Sequence, residues 1–350
     1  YRAERWKYDC VEIPDEPLAD DMSAWSGRQF KARVETLVRE AAKVALTDVS
    51  APTGTFAECL KGNAHSELLT PTVALFVFNR GAVLLKETGN AAGARELYEE
   101  ALKLTEAPEE AYFAIRCALL ESADNEVAKP EDKLLTEFRA LYNEYRDCEG
   151  ARYVLVEAGK RMQMPASPDK EAKRAFMDDV ALIDESLKAF PNWYNNGELR
   201  LIRERLTRPM IEVAASDMCA PGSELDIRIR QNFTEKATLE IRRLPVNTDS
   251  YGKDAVMSAK VVRSITLKPS GKDDFAVESH ERVRLTDDGL YLLVASTGND
   301  EDKAARYNVC EVRVVPWIPV KLSGVDNPMA AVVNSADGSP EEGVTVRTAR

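Results

Sequence analysis

Residues 187–230 read LKAFPNWYNNGELRLIRERLTRPMIEVAASDMCAPGSELDIRIR, and the period of the apolar residues changes inside that stretch. A helical pattern runs as far as Arg205–Arg208, and Pro209 marks its end. Further on, Glu224–Gln231 alternates: Leu225, Ile227 and Ile229 point one way, while Asp226, Arg228 and Arg230 point the other. Alternation with a period of two residues makes a strand with one buried face. The chain therefore reads as helical before Pro209 and as β after it.

Upstream of the switch, helices are predicted near 169–190, 151–162, 131–147 and 109–123, with an insertion around Asn125–Pro130. Residues 74–104, ALFVFNRGAVLLKETGNAAGARELYEEALKL, form the most regular pair, split by Thr88-Gly89-Asn90, a set that ends one helix and admits the next. Gly81, Ala82, Ala94 and Ala101 fall where the two helices approach, and Phe78, Leu85, Tyr98 and Leu102 supply the bulk between them. That pair resembles one tetratricopeptide-type hairpin, with Gly89, Ala94, Tyr98 and Ala101 at the pattern's turn and packing positions and Pro108 shortly after. Residues 28–48 carry Val34, Leu37, Val38, Ala41 and Ala45 at helical spacing, and Ala51-Pro52-Thr53-Gly54 breaks that helix. The expectation is an irregular stack of antiparallel helix pairs. Such a stack either offers a groove to a partner or acts as a spacer, and both readings stand.

Downstream, strands are predicted at Met210–Ala215, Leu225–Gln231, Ala237–Leu244, Lys260–Leu267, Phe275–Leu285, Gly289–Ser296 and Tyr307–Val315. With turns at Ala220-Pro221-Gly222, Pro269-Ser270-Gly271 and Asp287-Asp288-Gly289, they fit an antiparallel sandwich of about 100 residues. Gly289–Val294 reads as a central strand buried on both sides. After Trp317 come Ile318–Ser323, Met329–Ser335 and Val344–Arg350, with Asp337-Gly338 as a tight turn. Three strands do not bury a sandwich core, so a second, truncated β-domain is expected. The predicted division is 1–207 helical, 208–316 sandwich and 317–350 the start of the next β-domain.

The 350 residues are 44% hydrophobic and 30% charged, an ordinary globular balance. A net charge of −12 repels phosphate backbones, which argues against a nucleic-acid partner. No apolar run of spanning length occurs, so no membrane span is expected. Cys10, Cys59, Cys117, Cys148, Cys219 and Cys310 are scattered without a C-x-x-C pair, and His65 and His280 are the two histidines. Zinc spacing is absent, and the cysteines read as small buried hydrophobes. A disulfide such as Cys10–Cys59 stays open as an alternative in an oxidising compartment.

Two phrases carry a family resemblance. Phe190-Pro191, Pro209-Met210-Ile211-Glu212-Val213 and Pro221-Gly222 stand in the order of a junction found in bacterial, Bacteroides-type alpha-2-macroglobulin-like proteins. Residues 331–346, AVVNSADGSPEEGVTV, are similar to the phrase that opens the next macroglobulin domain in that family. The resemblance covers roughly 187–350, and it implies an exported, often lipid-anchored protease trap whose signal or anchor lies upstream of Tyr1. Its location would be periplasmic or cell-surface. Many members bear a Cys-x-Glu-Gln thioester. Cys10-Val11-Glu12-Ile13 has the first elements, but Ile13 lacks the side-chain amide that the bond requires.

The sequence contains no H-E-x-x-H, G-x-S-x-G, G-x-G-x-x-G or P-loop pattern. His280, in Ser-His-Glu-Arg, is expected on the solvent face of its strand, and His65 in a polar loop. The carboxylates at Asp15-Glu16, Asp20-Asp21 and Asn299–Asp302 lack EF-hand spacing and read as solvated loops. No catalytic, cofactor-binding or metal-ligating residue is assigned, and no cofactor is expected. The leading expectation is a non-catalytic scaffold and binding region of a cell-envelope, macroglobulin-like endopeptidase inhibitor, whose partners are the protein's other domains and proteases or envelope proteins. The alternatives are the accessory region of a larger secreted hydrolase and a tetratricopeptide-like peptide-binding adaptor.

Overall fold

The computed structural model describes residues 25–56, 65–105, 109–124, 131–166, 168–244, 252–297, 307–322 and 329–342. Contacts divide the chain into two compact units, Tyr1–Gln163 with Asp179–Leu206, and Met164–Asp178 with Thr207–Arg350. Cys10, Cys59, Pro108, Asn125–Pro130, the early carboxylate pairs, Asn299–Asp302 and Val344–Arg350 lie outside the described residues.

The first unit is helical. Helix α1 (Gly27–Ala45) opens on a capping box: Gln29 N donates to Ser26 Oγ at 3.2 Å, and Ser26 N donates to Gln29 Oε1 at 2.9 Å. Its buried line is Val38, Ala42 and Ala45, with Val34 half-buried, whereas Leu37 and Ala41 face solvent. The expected stripe is therefore narrower than the sequence pattern. A helix packed along one neighbour buries one i, i+4 row, not a broad face.

After α2 (Ser66–Leu69) come α3 (Val73–Glu87) and α4 (Ala91–Lys103), which pack as a hairpin. Gly89 adopts φ 89° and closes α3 in a Schellman turn: Asn90 N donates to Leu85 O at 2.8 Å, and Gly89 N to Lys86 O at 3.1 Å. Asn90 then caps α4 by accepting from Gly93 N at 2.8 Å. One short segment thus ends one helix and starts the next. A Cβ on Gly81 would come within 2.8 Å of Val38 Cγ1 and 3.2 Å of Leu97 Cδ1, so α1, α3 and α4 meet closely there. Phe78, Leu85 and Tyr98 fill the space between as anticipated.

The unit continues through α5 (Glu110–Asp124), α6 (Glu131–Glu144) and α7 (Arg152–Arg161). It takes in the later turns of α8 (Lys170–Ala189) and all of α9 (Asn196–Leu206). Charged pairs link the helices: Arg139 of α6 grips Asp179 of α8, Arg203 Nε of α9 reaches Asp184 Oδ1 of α8 at 2.7 Å, and Arg161 Nη2 of α7 reaches Glu121 Oε1 of α5 at 2.6 Å. Arg152 is fully buried. Its Nη1 donates to the carbonyls of Cys148 (3.0 Å) and Glu149 (2.8 Å), and its guanidinium lies 3.2 Å over the Phe190 ring. Burial holds its pKa below the usual arginine value.

The second unit is a sandwich. One sheet runs β1 (Met210–Ala214), β3 (Glu224–Asn232), β6 (Val277–Arg284). The other runs β2 (Met218–Cys219), β8 (Tyr307–Val314), β7 (Gly289–Thr297), β4 (Ala237–Leu244), β5 (Lys260–Leu267). The chain crosses from sheet to sheet between β1, antiparallel to β3, and β2, parallel to β8. The inner faces meet in one core: Ile211 and Val213, Leu225, Ile227 and Ile229, Leu239 and Ile241, and Tyr291, Leu293 and Ala295.

Strand β7 is buried on both sides, as its apolar run implies. Its alternate residues Leu292 and Val294 pack outward with Leu244 and Val256 beneath α10 (Lys253–Ser258), a helix that the sequence reading did not contain. Arg242 anchors α10 by donating from Nη1 to Val256 O at 3.0 Å, and its Nε is held by Glu240 Oε2 at 2.9 Å. A cation at a helix C-terminus meets the negative end of the helix dipole.

The sheet edges are blunted. Along β5 the register breaks between Ile241 and Arg242, where the bulge skips Val262, and Lys260 and Arg263 lie exposed on the edge. Edge β6 turns Ser279 and Glu281 inward, both half-buried. Bulges, edge lysines and inward charges each discourage another strand from adding. Strand β6 also begins later than the expected Phe275. Asp274–Ala276 forms a corner in which Phe275 is buried and Ala276 has φ 49°. A short hairpin, β9 (Trp317–Leu322) and β10 (Met329–Asn334), forms a separate two-stranded sheet. Ser335 ties it back to the connector, donating from N to Pro316 O at 3.0 Å and from Oγ to Val315 O at 2.6 Å.

Candidate functional site

His280 falls where the alternation places it, on the exposed face of its strand, and His65 stands just before α2. His280 is exposed on β6 with Nδ1 2.9 Å from Asp226 Oδ2, and the opposed β3 and β6 residues form a ladder of mixed charge. His65 is exposed and rests against the Tyr194 ring at 4.5 Å. Among the described residues, Cys117, Cys148, Cys219 and Cys310 are free thiols. Cys117 is buried, and burial together with Glu157 and Glu121 pushes its pKa well up. A thiol held in that state is a packing group and not a nucleophile. Among the described residues no His, Cys, Asp and Glu group has the form of a metal site.

Among the described residues, the helical unit carries two half-exposed aromatic clusters that sequence reading did not single out. In one, Tyr112 Oη on α5 lies 3.2 Å from Tyr145 Oη and their rings are 5.7 Å apart. Phe113 sits edge-on to both, at 5.2 and 5.4 Å. Arg116 rides 5.8 Å above the Tyr112 ring. In the other, Glu110 Oε1 accepts from Trp193 Nε1 at 3.2 Å, and Trp193 meets Tyr194 in a tilted contact at 5.1 Å. Trp193 is buried and fixes the Tyr194 ring, which stays half-exposed.

Tyr153 on α7 lies within electrostatic reach of Tyr194, Glu157 and Glu121. Tyr145 is pushed up to about 12, first by its bond to Tyr112 and then by burial. Burial raises Tyr153 and Tyr194 as well, with nearby carboxylates adding to it. Rigid tyrosines, half-exposed and fixed by neighbours, are the usual material of protein-binding surfaces. Among the described residues, neither cluster contains a nucleophile paired with a base. A legible sign existed in the chain's 11 tyrosines, but which of them meet depends on how the helices pack.

A cavity of about 250 Å³ opens beside the α3–α4 turn, lined by Lys86, Gly89, Ala91 and Ser122. The Ser122 hydroxyl is spent on Ala118 O at 2.8 Å, so the lining offers the Lys86 ammonium and little else.

No family model and no curated protein matches this chain. Several solved structures resemble parts of it. The CARDB domain of a Pyrococcus furiosus protein, solved with di-metal ions, matches 31% of this chain and 89% of that one at 12% identity and TM-score 0.22. The sulfur carrier protein SoxY of Chlorobium limicola matches 30% and 78% at 16% identity and TM-score 0.18. Native alpha-2-macroglobulin from Escherichia coli, spanning domains MG0-NIE-MG1, matches 39% of this chain at 12% identity and TM-score 0.27, and the match covers 48% of that structure. The likeness to macroglobulin domains is thus weak, and at such scores none of the three carries an argument about function.

Proposed function

We propose that this chain is a non-catalytic scaffold and binding region of a macroglobulin-like protein that traps endopeptidases at the cell envelope. The observation that carries the reading is the serial arrangement: a helical unit, one sandwich of three and five strands, and then a separate β hairpin beginning at Trp317, three residues after β8 ends. Chains built that way present surfaces and spacing. Met210–Val213 lie in β1, and Pro340 bridges Val333 of β10, which is consistent with the reading.

The test is a trap assay on the full gene product with a panel of endopeptidases. Trapping is expected to leave cleavage of small peptide substrates intact while cleavage of large proteins falls at least tenfold. Equal activity on both substrate sizes for every protease sinks the reading.

A peptide-binding adaptor is the second reading, favoured by the half-exposed tyrosine pairs, Tyr112 with Tyr145 and Tyr153 with Tyr194. Replacing Tyr112 and Tyr194 with serine in the full chain separates the two. Loss of a peptide ligand with trapping retained supports the adaptor, and loss of trapping with no peptide binding supports the trap.

A further inference from the structure

Residues 164–178, which include the first turns of α8, belong by their contacts to the sandwich unit. Among the described residues of this strap, Phe176 alone is buried; Lys170, Glu171, Arg174, Ala175 and Asp178 are exposed. Phe176 packs on Phe275 at 4.8 Å, and Phe275 stacks on Phe233 at 5.6 Å. Lys173 Nζ donates to Asp274 Oδ1 at 2.9 Å and lies 5.6 Å from the Phe275 ring centre. Arg230 Nη2 donates to Ala166 O.

The receiving surface is built, and its backbone is strained. Phe233 at φ 51° and Ala276 at φ 49° are the described non-glycine residues with left-handed backbone. A Cβ makes that conformation unfavourable, so it persists only where the surroundings impose it. Here they do: Phe233 N donates to Asp274 O at 2.7 Å, and Ala276 N donates to the buried Asn232 Oδ1 at 2.7 Å. Thr234 Oγ1 donates to Gln231 Oε1 at 2.6 Å, and Gln231 Nε2 donates to Lys268 O at 3.0 Å. The two corners together present Phe275 and Asp274 to the strap. Phe176, Phe233 and Phe275 all stand outside the main sandwich core of Ile227, Leu239, Leu293 and their neighbours.

We propose that the strap and the two corners form one conformational clamp, which opens by withdrawing Phe176 without unfolding the sandwich. Three observations converge on it: a single buried plug, a receiving corner with left-handed backbone at Phe233 and Ala276, and rings that stand outside the main sandwich core.

Hydrogen exchange on the full chain tests this. Phe176→Ala is expected to speed exchange at least tenfold in 170–178 and, together with it, in 232–234 and 274–277, while β7 keeps its protection. Phe176→Leu, which refills the plug, is expected to restore most of the protection, and Lys173→Gln to speed the strap a few-fold. A loosened strap beside an unchanged corner overturns the proposal, because the two then do not act as one. Equal loss in β7 also overturns it, because Phe176 is then part of the sandwich core.

Discussion

The two units bury their polar side chains in different settings. The helical unit buries Arg152 and Asp179 beside the hydroxyls of Ser26, Thr53, Ser122 and Ser186 and the amide of Asn196. The sandwich buries Arg242 beside Gln231, Asn232, Thr234 and Thr297. The settings follow from the backbone. A helix satisfies its own peptide groups except at its ends, so its polar side chains serve turns and links between helices, where long charged groups reach. A sandwich leaves peptide groups unpaired where strands turn corners, and short amides and hydroxyls fit there. Each unit thus places buried polarity where its backbone falls short.

The comparison is sharpened most by emptying each core in turn. Phe138→Ala and Leu293→Ala remove fully buried side chains, and each is expected to destabilise its own unit by about 2–5 kcal/mol. Exchange protection is expected to fall in α5–α7 for the first and in β3, β4 and β7 for the second. Equal losses in both units from either change break the comparison.

A smaller effect is expected from Gly150→Ala. The added Cβ would stand 2.8 Å from backbone atoms of Glu109 and Glu110, which have less freedom to move than a side-chain tip. A cost of about 1–3 kcal/mol in chemical denaturation is expected. Gly197, with open space around its Cβ direction, provides the control, and Gly197→Ala is expected to change little.

Alkaline titration separates the units next. Tyr98, Tyr153 and Tyr194 are raised, and Tyr145 is raised to about 12, all in the helical unit; Tyr291 is raised in the sandwich. A phenol whose folded pKa exceeds its unfolded value of about 10 favours folding fully below pH 10. That contribution is lost as pH rises from about 10 through the raised value. Loss of helical signal at 222 nm, in step with tyrosinate absorbance, is therefore expected before β7 loses its exchange protection. Earlier loss in β7 contradicts this.

The smallest effect concerns the turn after β10. Asp337 is held below its usual carboxylate pKa by hydrogen bonds from the Ser339 hydroxyl and amide. Its folded value is depressed, so its contribution is present above the unfolded pKa and is lost as pH falls through the folded one. Ser339→Ala is expected to move the Asp337 carboxylate resonance upward in an NMR titration and to leave the sandwich unchanged.

Much of this was legible in advance because periodicity reports burial directly. The break at Pro209, the α3–α4 hairpin with Gly89 at its turn, the alternation of Leu225, Ile227 and Ile229, and the two-sided burial of β7 each follow from residue spacing. Spacing failed where a conformation came from contacts. Leu37 and Ala41 fit a helical stripe but lie on the free side of α1, because α1 has a narrow line of contact. Phe275 and Ala276 fit a strand but sit in a corner.

By itself, then, the sequence determined the order of helical and β segments and the inner faces of the longer strands, since these depend on neighbours within a few residues. Only the tertiary structure decided three things. One is the meeting of Tyr112 with Tyr145, contributed by separate segments. Another is the helix over the outer face of β7. The last is the left-handed backbone at Phe233 and Ala276. No local preference of phenylalanine or alanine favours that conformation, and hydrogen bonds to Asp274 and the buried Asn232 hold it in place.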